Sequence, residues 1–248
     1  MIKLEREAEP QVMIDNKDAW LKDLQAAINS YGSYNKIPET EKQKLTSYYR
    51  NDDVRQALVK SSNGKCAFCE CIPSEGGNVE IEHFKPKSIY PNLTFEWLNF
   101  LPSCRKCNGA KASHDTGLEA IVNPYDLDPK GIFYFDDIEI KASDGEHRDI
   151  SEKTIEVCGL NTVRLWKPRA EILVSLRIFS KSIEEALQEY NLADTDRKKC
   201  HRIKKLREAI ETIEMLTAPT EKYSGFCIHF LARSAPYIQA KELLDEVA

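Results

Sequence analysis

The chain has 248 residues, of which 42% are hydrophobic and 30% are charged, the composition of an ordinary globular protein. Its formal net charge of −5 argues against a protein that coats nucleic acid through bulk charge, so any nucleic-acid contact must be local or helped by a partner. No run approaches the roughly 18 apolar residues of a spanning helix, and charges near Met1 interrupt any signal-peptide core. We therefore expect no membrane association and a cytoplasmic location.

Helical periodicity dominates the beginning of the chain, over residues 16–62. Gly32 is expected to end the first helix, and Pro38 with the acidic residues after it is typical of a first helical turn. The pair Asp52-Asp53 is expected to cap a third helix. Residues 1–62 are thus predicted to form an N-terminal helical region.

Two C-x2-C pairs distinguish the next segment, residues 63–125. Four thiolates at this spacing suit a closed, tetrahedral zinc site of the structural kind. The chain is too long and too poor in cysteine for a disulfide scaffold, and Cys71, close to the first pair, is interpreted as a bystander. The predicted zinc ligands are Cys66, Cys69, Cys104 and Cys107.

A structural zinc site does not require the Glu82-His83 dipeptide that lies between the two pairs. Alternation after the Gly76-Gly77 turn predicts a strand over residues 78–83, and a short helix is expected over 105–114. Asn108 directly follows a predicted zinc ligand, so its position has little freedom. A carboxylate and an amide oxygen are hard ligands suited to Mg²⁺ or Mn²⁺, and a neutral imidazole can take a proton from water. The segment therefore predicts a hydrolytic centre whose backbone is held in place by the zinc site.

The remainder, residues 126–248, is predicted to contain a hairpin that turns at Asp136-Asp137 and then a helical, partner-binding region. A long amphipathic helix, kinked or restarted at Pro168, precedes helices near 194–216, 221–233 and 236–247. The basic run 197–207 is either a solvated helix face or a track for phosphates or an acidic partner. The predicted fold class is α+β and mostly helical, with a small ββα-metal module between helical regions.

The middle segment resembles the HNH endonucleases over about residues 64–115, a quarter of the chain. The resemblance rests on Glu82-His83, on Asn99 within Trp97-Leu-Asn-Phe-Leu101, and on Cys104-x2-Cys107-Asn108-x2-Lys111. It departs from the usual pattern in having Glu82 where Asp is common and Asn108 where His is common. It implies the following roles: His83 as general base, Asn99 as the residue that fixes the local loop, Glu82 and Asn108 as ligands of the catalytic Mg²⁺ or Mn²⁺, Lys111 near the phosphate, and His114 as a possible further ligand.

A narrower resemblance concerns the HNH subunit of Septu-type anti-phage systems, which is also found with some retrons. It rests on Met1–Arg6, Ile81–Ser88, Ser103–Asn108 and the helical C-terminal half. It implies a hetero-oligomer with an ATPase of the ABC/SMC-like type and nucleic-acid cleavage triggered by infection. DNA and RNA, including tRNA, are both open as substrates.

Two other interpretations of these residues remain open. In the first, the protein is a non-catalytic adaptor in which zinc stabilises a nucleic-acid- or protein-binding scaffold and His83 is a core residue. In the second, the cysteine pairs act as a thiol redox switch. An enzyme should need added Mg²⁺ or Mn²⁺ beyond its zinc, whereas an adaptor should not.

Overall fold

The computed structural model describes residues 1–247 and divides the chain into two compact units. The first contains Met1–Phe133 and Ala142–Leu160, and the second contains Tyr134–Lys141 and the chain from Asn161 onward. Ala248, the end of the third predicted segment, lies outside the described residues. Within these residues, no helix combines the length and the apolar character needed to cross a membrane. The segment boundaries at 62/63 and 125/126 stay predictions.

Three helices open the first unit: α1 (Gln11–Tyr31), α2 (Glu39–Thr46) and α3 (Asp52–Ser61). Helix α1 ends as predicted at Gly32, whose φ of 84° lies in the left-handed region that favours glycine. The cap of α3 is Asn51 rather than the aspartates, and its side chain accepts a hydrogen bond from the Asp53 amide. The predicted N-terminal helices are therefore present.

A ββα unit follows in the same part of the fold. Strand β1 (Glu80–His83) pairs antiparallel with β2 (Phe100–Ser103), and α4 (Arg105–Lys111) comes directly after. The register places His83 opposite Phe100, at the end of the two-stranded sheet. Helix α4 ends before residue 114 because Ala112 has a φ of 45°, which an α-helix does not accommodate. The predicted strand and short helix are confirmed in type.

The N-terminal helices and the ββα unit share one hydrophobic core. Met13 and Leu24 of α1 and Leu58 of α3 belong to the same buried cluster as Trp97 and Phe100. Burial of each large apolar side chain stabilises the fold by about 1.5–3 kcal/mol. This shared core holds the helices against the ββα unit and so positions their polar residues beside β1.

The segment before α1 has no regular secondary structure, but hydrogen bonds bind it to the loop that leads into β2. The Arg6 guanidinium donates to the carbonyls of Trp97, Leu98 and Phe100, at 2.9, 3.1 and 3.1 Å respectively. The Trp97 indole in turn donates to the Glu7 carbonyl at 3.0 Å. The first residues therefore fix the backbone on which Asn99 lies.

The rest of the chain is mainly helical. Strands β3 (Phe133–Asp136) and β4 (Glu139–Ala142) form the predicted hairpin, with Asp137 at a φ of 49° in the turn. Helix α5 (Arg148–Val157) belongs to the first unit. The second unit contains α6 (Val163–Asn191), α7 (Asp196–Glu214), α8 (Ser224–Leu231) and α9 (Ala235–Glu246). The predicted α+β, mostly helical class is confirmed.

Two features of the second unit answer expectations from the sequence. Helix α6 is continuous through Pro168, so the helix does not restart there. This proline lies in the second turn and cannot donate the backbone hydrogen bond of a regular helix. In α7, Leu206 is buried while Lys204 and Lys205 are exposed, which fits both a solvated helix face and a charged track.

Candidate metal centre and active site

The four predicted zinc ligands converge at the base of the ββα unit. All four are buried, and their Sγ atoms lie within 4.8 Å of one another. Zinc–sulfur bonds of about 2.3 Å in a tetrahedron imply sulfurs about 3.8 Å apart. The Sγ atoms of Cys69 and Cys104 are separated by 3.8 Å. The four cysteines therefore fit a closed, structural zinc site.

Local backbone structure explains how the cysteines meet. A tight turn after α3 carries the first pair, with the Cys66 amide donating to the Cys71 carbonyl at 2.9 Å. Cys104 is the N-cap residue of α4, and its sulfur accepts a hydrogen bond from the Cys107 amide at 3.4 Å. Hydrogen bonds from neighbouring thiols, that of Cys107 foremost, hold the pKa of Cys104 below its ordinary value. Such thiolate character favours metal binding.

Cys71 lies near this cluster without being one of its four members. It is half-buried, and its thiol interacts with those of Cys104 and Cys66, which raises the pKa of Cys71. Cys158 and Cys227 are buried and Cys200 is exposed. None of these three belongs to the metal cluster found among the described residues.

A cavity of about 540 Å³ lies beside β1, within the first unit. Glu82, His83 and Asn108, three of the residues predicted from the sequence, line it together. The cavity also has lining residues from the N-terminal helical region and from the loop after β1; those used below are Tyr34, Tyr49, Arg50, Arg55 and Lys87.

His83 is held in one tautomer. Its Nε2 lies 2.9 Å from the Thr94 carbonyl oxygen, and since a carbonyl only accepts, Nε2 carries the proton and Nδ1 is the acceptor. The ring packs edge-on against Tyr49 and Phe100, at centroid distances of 4.7 and 5.1 Å. Burial, followed by the charge of Lys87, lowers the pKa of His83 to about 3. The imidazole is therefore neutral near pH 7, with Nδ1 unprotonated.

Glu82 forms a buried ion pair with Lys111. The Lys111 Nζ donates to Glu82 Oε1 at 2.6 Å and to the His83 carbonyl at 2.9 Å. Burial raises the pKa of Glu82 to about 7, against the opposing effect of the Lys111 ammonium. Lys111 does not line the cavity; it holds the carboxylate and the backbone of β1. A divalent cation near Glu82 would favour the ionised carboxylate.

Asn108 lies at the cavity through a contact with a residue that was not predicted from the sequence. Its Nδ2 donates to Glu80 Oε2 at 2.7 Å, which directs the amide nitrogen to Glu80 and leaves the amide oxygen without this contact. Glu80 lines the same cavity. The two-residue spacing of Glu80 and Glu82 on a strand was the signal that could have identified it, because alternate residues share a face. The donor set of two carboxylates and an amide oxygen fits a hard divalent cation.

Asn99 joins the two loops that border His83. Its Oδ1 accepts from the Lys85 amide at 2.7 Å, and its Nδ2 donates to the carbonyls of Lys85 and Leu93 at 3.0 and 3.2 Å. Leu93 precedes Thr94, the hydrogen-bond partner of His83. These bonds therefore connect the position of Asn99 to the orientation of the imidazole.

His114 lies apart from the cavity. Its Nε2 is 2.8 Å from the Glu119 carbonyl oxygen, and it is not a lining residue. The cations Arg50, Arg55 and Lys87 were not predicted as site residues, although they line the cavity. Lys87 belongs to the motif that follows His83, whereas Arg50 and Arg55 come from a distant part of the chain with no local signal.

Comparison with known proteins gives the chain its relatives. No family model matches it. It is 31% identical over 197 residues to Septu protein PtuB from Bacillus thuringiensis, covering 77% of this chain and 73% of that protein. It is also 31% identical over 221 residues to Septu protein PtuB from Bacillus mycoides (strain KBAB4), covering 75% of this chain and 72% of that protein. A shorter match is to protein ea31 of Escherichia phage lambda, which is 34% identical over 80 residues. This match covers 31% of this chain and 25% of that protein. On the strength of the two longer matches, the chain belongs to the Septu protein PtuB family.

Proposed function

We propose that this chain is a metal-dependent HNH endonuclease that hydrolyses phosphodiester bonds of nucleic acid, and that it is the effector nuclease of an anti-phage defence complex. The observation that carries the proposal is that Glu82, His83 and Asn108 line one cavity, and Asn108 directly follows Cys107 of the four-cysteine cluster. An acid, a neutral base and an amide at one cavity are the groups that metal-assisted phosphodiester hydrolysis requires.

His83 acts as the general base in this proposal. Its Nε2 proton is engaged by the Thr94 carbonyl, so Nδ1 takes the proton of an attacking water. The water oxygen then forms a bond to phosphorus as the bond to the departing oxygen breaks. Asn99 keeps the Thr94 loop in place, and Lys111 holds the backbone of His83 through its carbonyl.

Glu82 and Asn108, with Glu80 beside them, would hold a Mg²⁺ or Mn²⁺ ion. Such an ion supplies Lewis-acid stabilisation of negative charge on the phosphate and on the leaving oxygen. The buried Glu82 carboxylate, with its raised pKa, is kept next to this position by Lys111.

The defence role and the ATPase partner are proposed from membership of the PtuB family and from the resemblance to HNH subunits of Septu-type systems. The helical region that follows the β3–β4 hairpin is the proposed partner-binding part. Copurification of the native complex from cells should recover an ATPase with this chain, and recovery of the chain alone would contradict the partnership.

The nuclease proposal is tested by His83→Ala. Cleavage of DNA and RNA by the purified complex should be abolished, because the proposed general base is removed, while the zinc content stays that of the parent. His147→Ala, a histidine in the turn before α5, is the matched control and should cut normally. The mechanism is wrong if purified His83→Ala cuts nucleic acid at the parental rate.

A further inference from the structure

Two buried polar atoms at the cavity have no hydrogen-bond partner among the described residues: the Tyr34 hydroxyl and the Arg55 Nε. Both residues line the cavity. Tyr34 is only 6% exposed. Buried polar groups in folded proteins are nearly always hydrogen-bonded, so an unpartnered pair at one cavity points to a missing ligand.

Cationic groups line the same cavity as these two atoms, together with the carboxylates of Glu80 and Glu82. Arg55 Nη1 donates to Asp52 Oδ1 at 2.7 Å, and no described residue accepts a hydrogen bond from the Arg55 Nε. Arg50 and Lys87 line the same cavity. Burial raises the pKa of Tyr34, so its hydroxyl keeps its proton and can donate. A phenol, two guanidinium groups and an ammonium together offer donors and positive charge, which suits a phosphate group.

We propose that Tyr34, Arg50 and Arg55 form a binding site for a backbone phosphate of the nucleic acid, next to the bond that is cut. The inference rests on the proposed nuclease function, because the same cavity contains Glu82 and His83. It extends that function to the N-terminal helical region, which lies outside the HNH resemblance at residues 64–115. These helices then position the substrate as well as support the fold.

The first experiment uses inorganic phosphate with the full chain. Phosphate should shift the Arg55 Nε–H resonance in an NMR titration, because that proton gains an oxygen acceptor. Arg55→Lys identifies the resonance and keeps the charge while removing the Nε donor. An Arg55 signal that does not move at saturating phosphate, or moves equally with chloride, overturns the proposal.

The second experiment measures binding of a short labelled DNA duplex and of a single-stranded RNA in the His83→Ala background, so that nothing is cut. Arg55→Gln and Arg50→Gln should each weaken binding of the tighter ligand about tenfold and reduce the salt slope by about one. Lys44→Gln, at an exposed cation of α2 outside the cavity, is the matched control and should bind like its parent. Binding of Arg55→Gln within twofold of its parent overturns the proposal.

Tyr34→Phe separates ligand binding from a structural role. Since the hydroxyl has no partner among the described residues, its removal should leave the melting temperature unchanged or raise it. Nucleic-acid binding should nevertheless fall several-fold. A lower melting temperature with unchanged binding overturns the assignment of Tyr34. If phosphate and nucleic acid bind as expected but the chain without substitutions never cuts, the nuclease function fails and the phosphate site stands. If the chain without substitutions cuts but Arg55→Gln binds nucleic acid normally, the phosphate site fails and the nuclease function stands.

Discussion

At the scale of single residues, the Glu82–Lys111 pair decides the charge state of the candidate site. Both side chains are almost fully buried, and the Lys111 Nζ is shared between the carboxylate and the His83 carbonyl. A buried pair of this kind contributes little net stability, because desolvation offsets most of the attraction. Loss of one partner is costly since it leaves the other charge unpaired.

Replacement of Lys111 by methionine is therefore expected to lower the free energy of unfolding, by up to about 3–5 kcal/mol at a pH high enough to ionise Glu82 in the variant. Burial already raises the pKa of Glu82 to about 7 in the fold, and removal of the ammonium raises that pKa further. A protonated Glu82 needs no partner. The loss of unfolding free energy in Lys111→Met should therefore be smaller in acid, and it should grow as pH rises through the raised pKa of Glu82 in the variant. Urea unfolding at about pH 6 and about pH 8 measures this difference.

The double variant Glu82→Gln/Lys111→Met is the control, because it removes both charges and keeps similar volumes. It should recover most of the stability that Lys111→Met loses and should show little dependence on pH in this range. Equal losses for the single variant at both pH values would contradict the role of the pair.

At the scale of elements, the two cysteine pairs connect the turn after α3 to the first turn of α4. Each pair alone fixes only a short loop, and the four sulfurs together tie residue 66 to residue 107. The β1–β2 hairpin and its Glu82-His83 end lie within this closure. A bound zinc would restrain the elements that carry the site, and metal binding would then be coupled to folding.

We expect Cys66→Ser to lose bound zinc and the cooperative unfolding of the first unit, because structural zinc contributes folding free energy directly. Zinc content by mass spectrometry and thermal unfolding by circular dichroism measure the effect. Cys200→Ser, at an exposed cysteine of α7, is the matched control and should keep both properties. Parental zinc content in Cys66→Ser would rule out the four-cysteine site.

At the scale of the whole molecule, a formal net charge of −5 coexists with a cavity that Arg50, Arg55 and Lys87 line. A net negative charge would not attract nucleic acid, so the proposed contact would depend on local cations. The carboxylates of Glu80 and Glu82 lie at the same cavity. The cations suit the phosphates of a nucleic-acid backbone, and the carboxylates suit a divalent ion bound beside it.

Cleavage by the native complex is expected to depend on a divalent ion other than zinc. After desalting into buffer without divalent ions, weakly held Mg²⁺ or Mn²⁺ should be lost and cleavage should stop, while the closed cysteine site retains its zinc. Addition of Mg²⁺ or Mn²⁺ should restore cleavage with no change in zinc content. Full activity without added ion, at constant zinc, would favour a different chemistry at the cavity.

Much of this molecule is determined by short sequence patterns. The C-x2-C spacing, the Gly32 helix end, the alternation into Glu82-His83 and the turn at Asp137 are local, and each appears in the structure. Local backbone sterics and ligand spacing set these features, so neighbouring residues suffice to predict them.

Tertiary packing decided the rest. Tyr34, Arg50 and Arg55 reach the cavity because α1 and α3 share a buried core with Trp97 and Phe100, contacts between residues far apart in the chain. Burial likewise makes Lys111 the partner of Glu82, a role that its position in the sequence motif did not indicate. The sequence by itself determined the metal clamp and the Glu-His end of β1. The residues that surround these two features were decided by long-range burial. Burial sets the charge state and the neighbours of a residue, and neither can be read from the local sequence pattern.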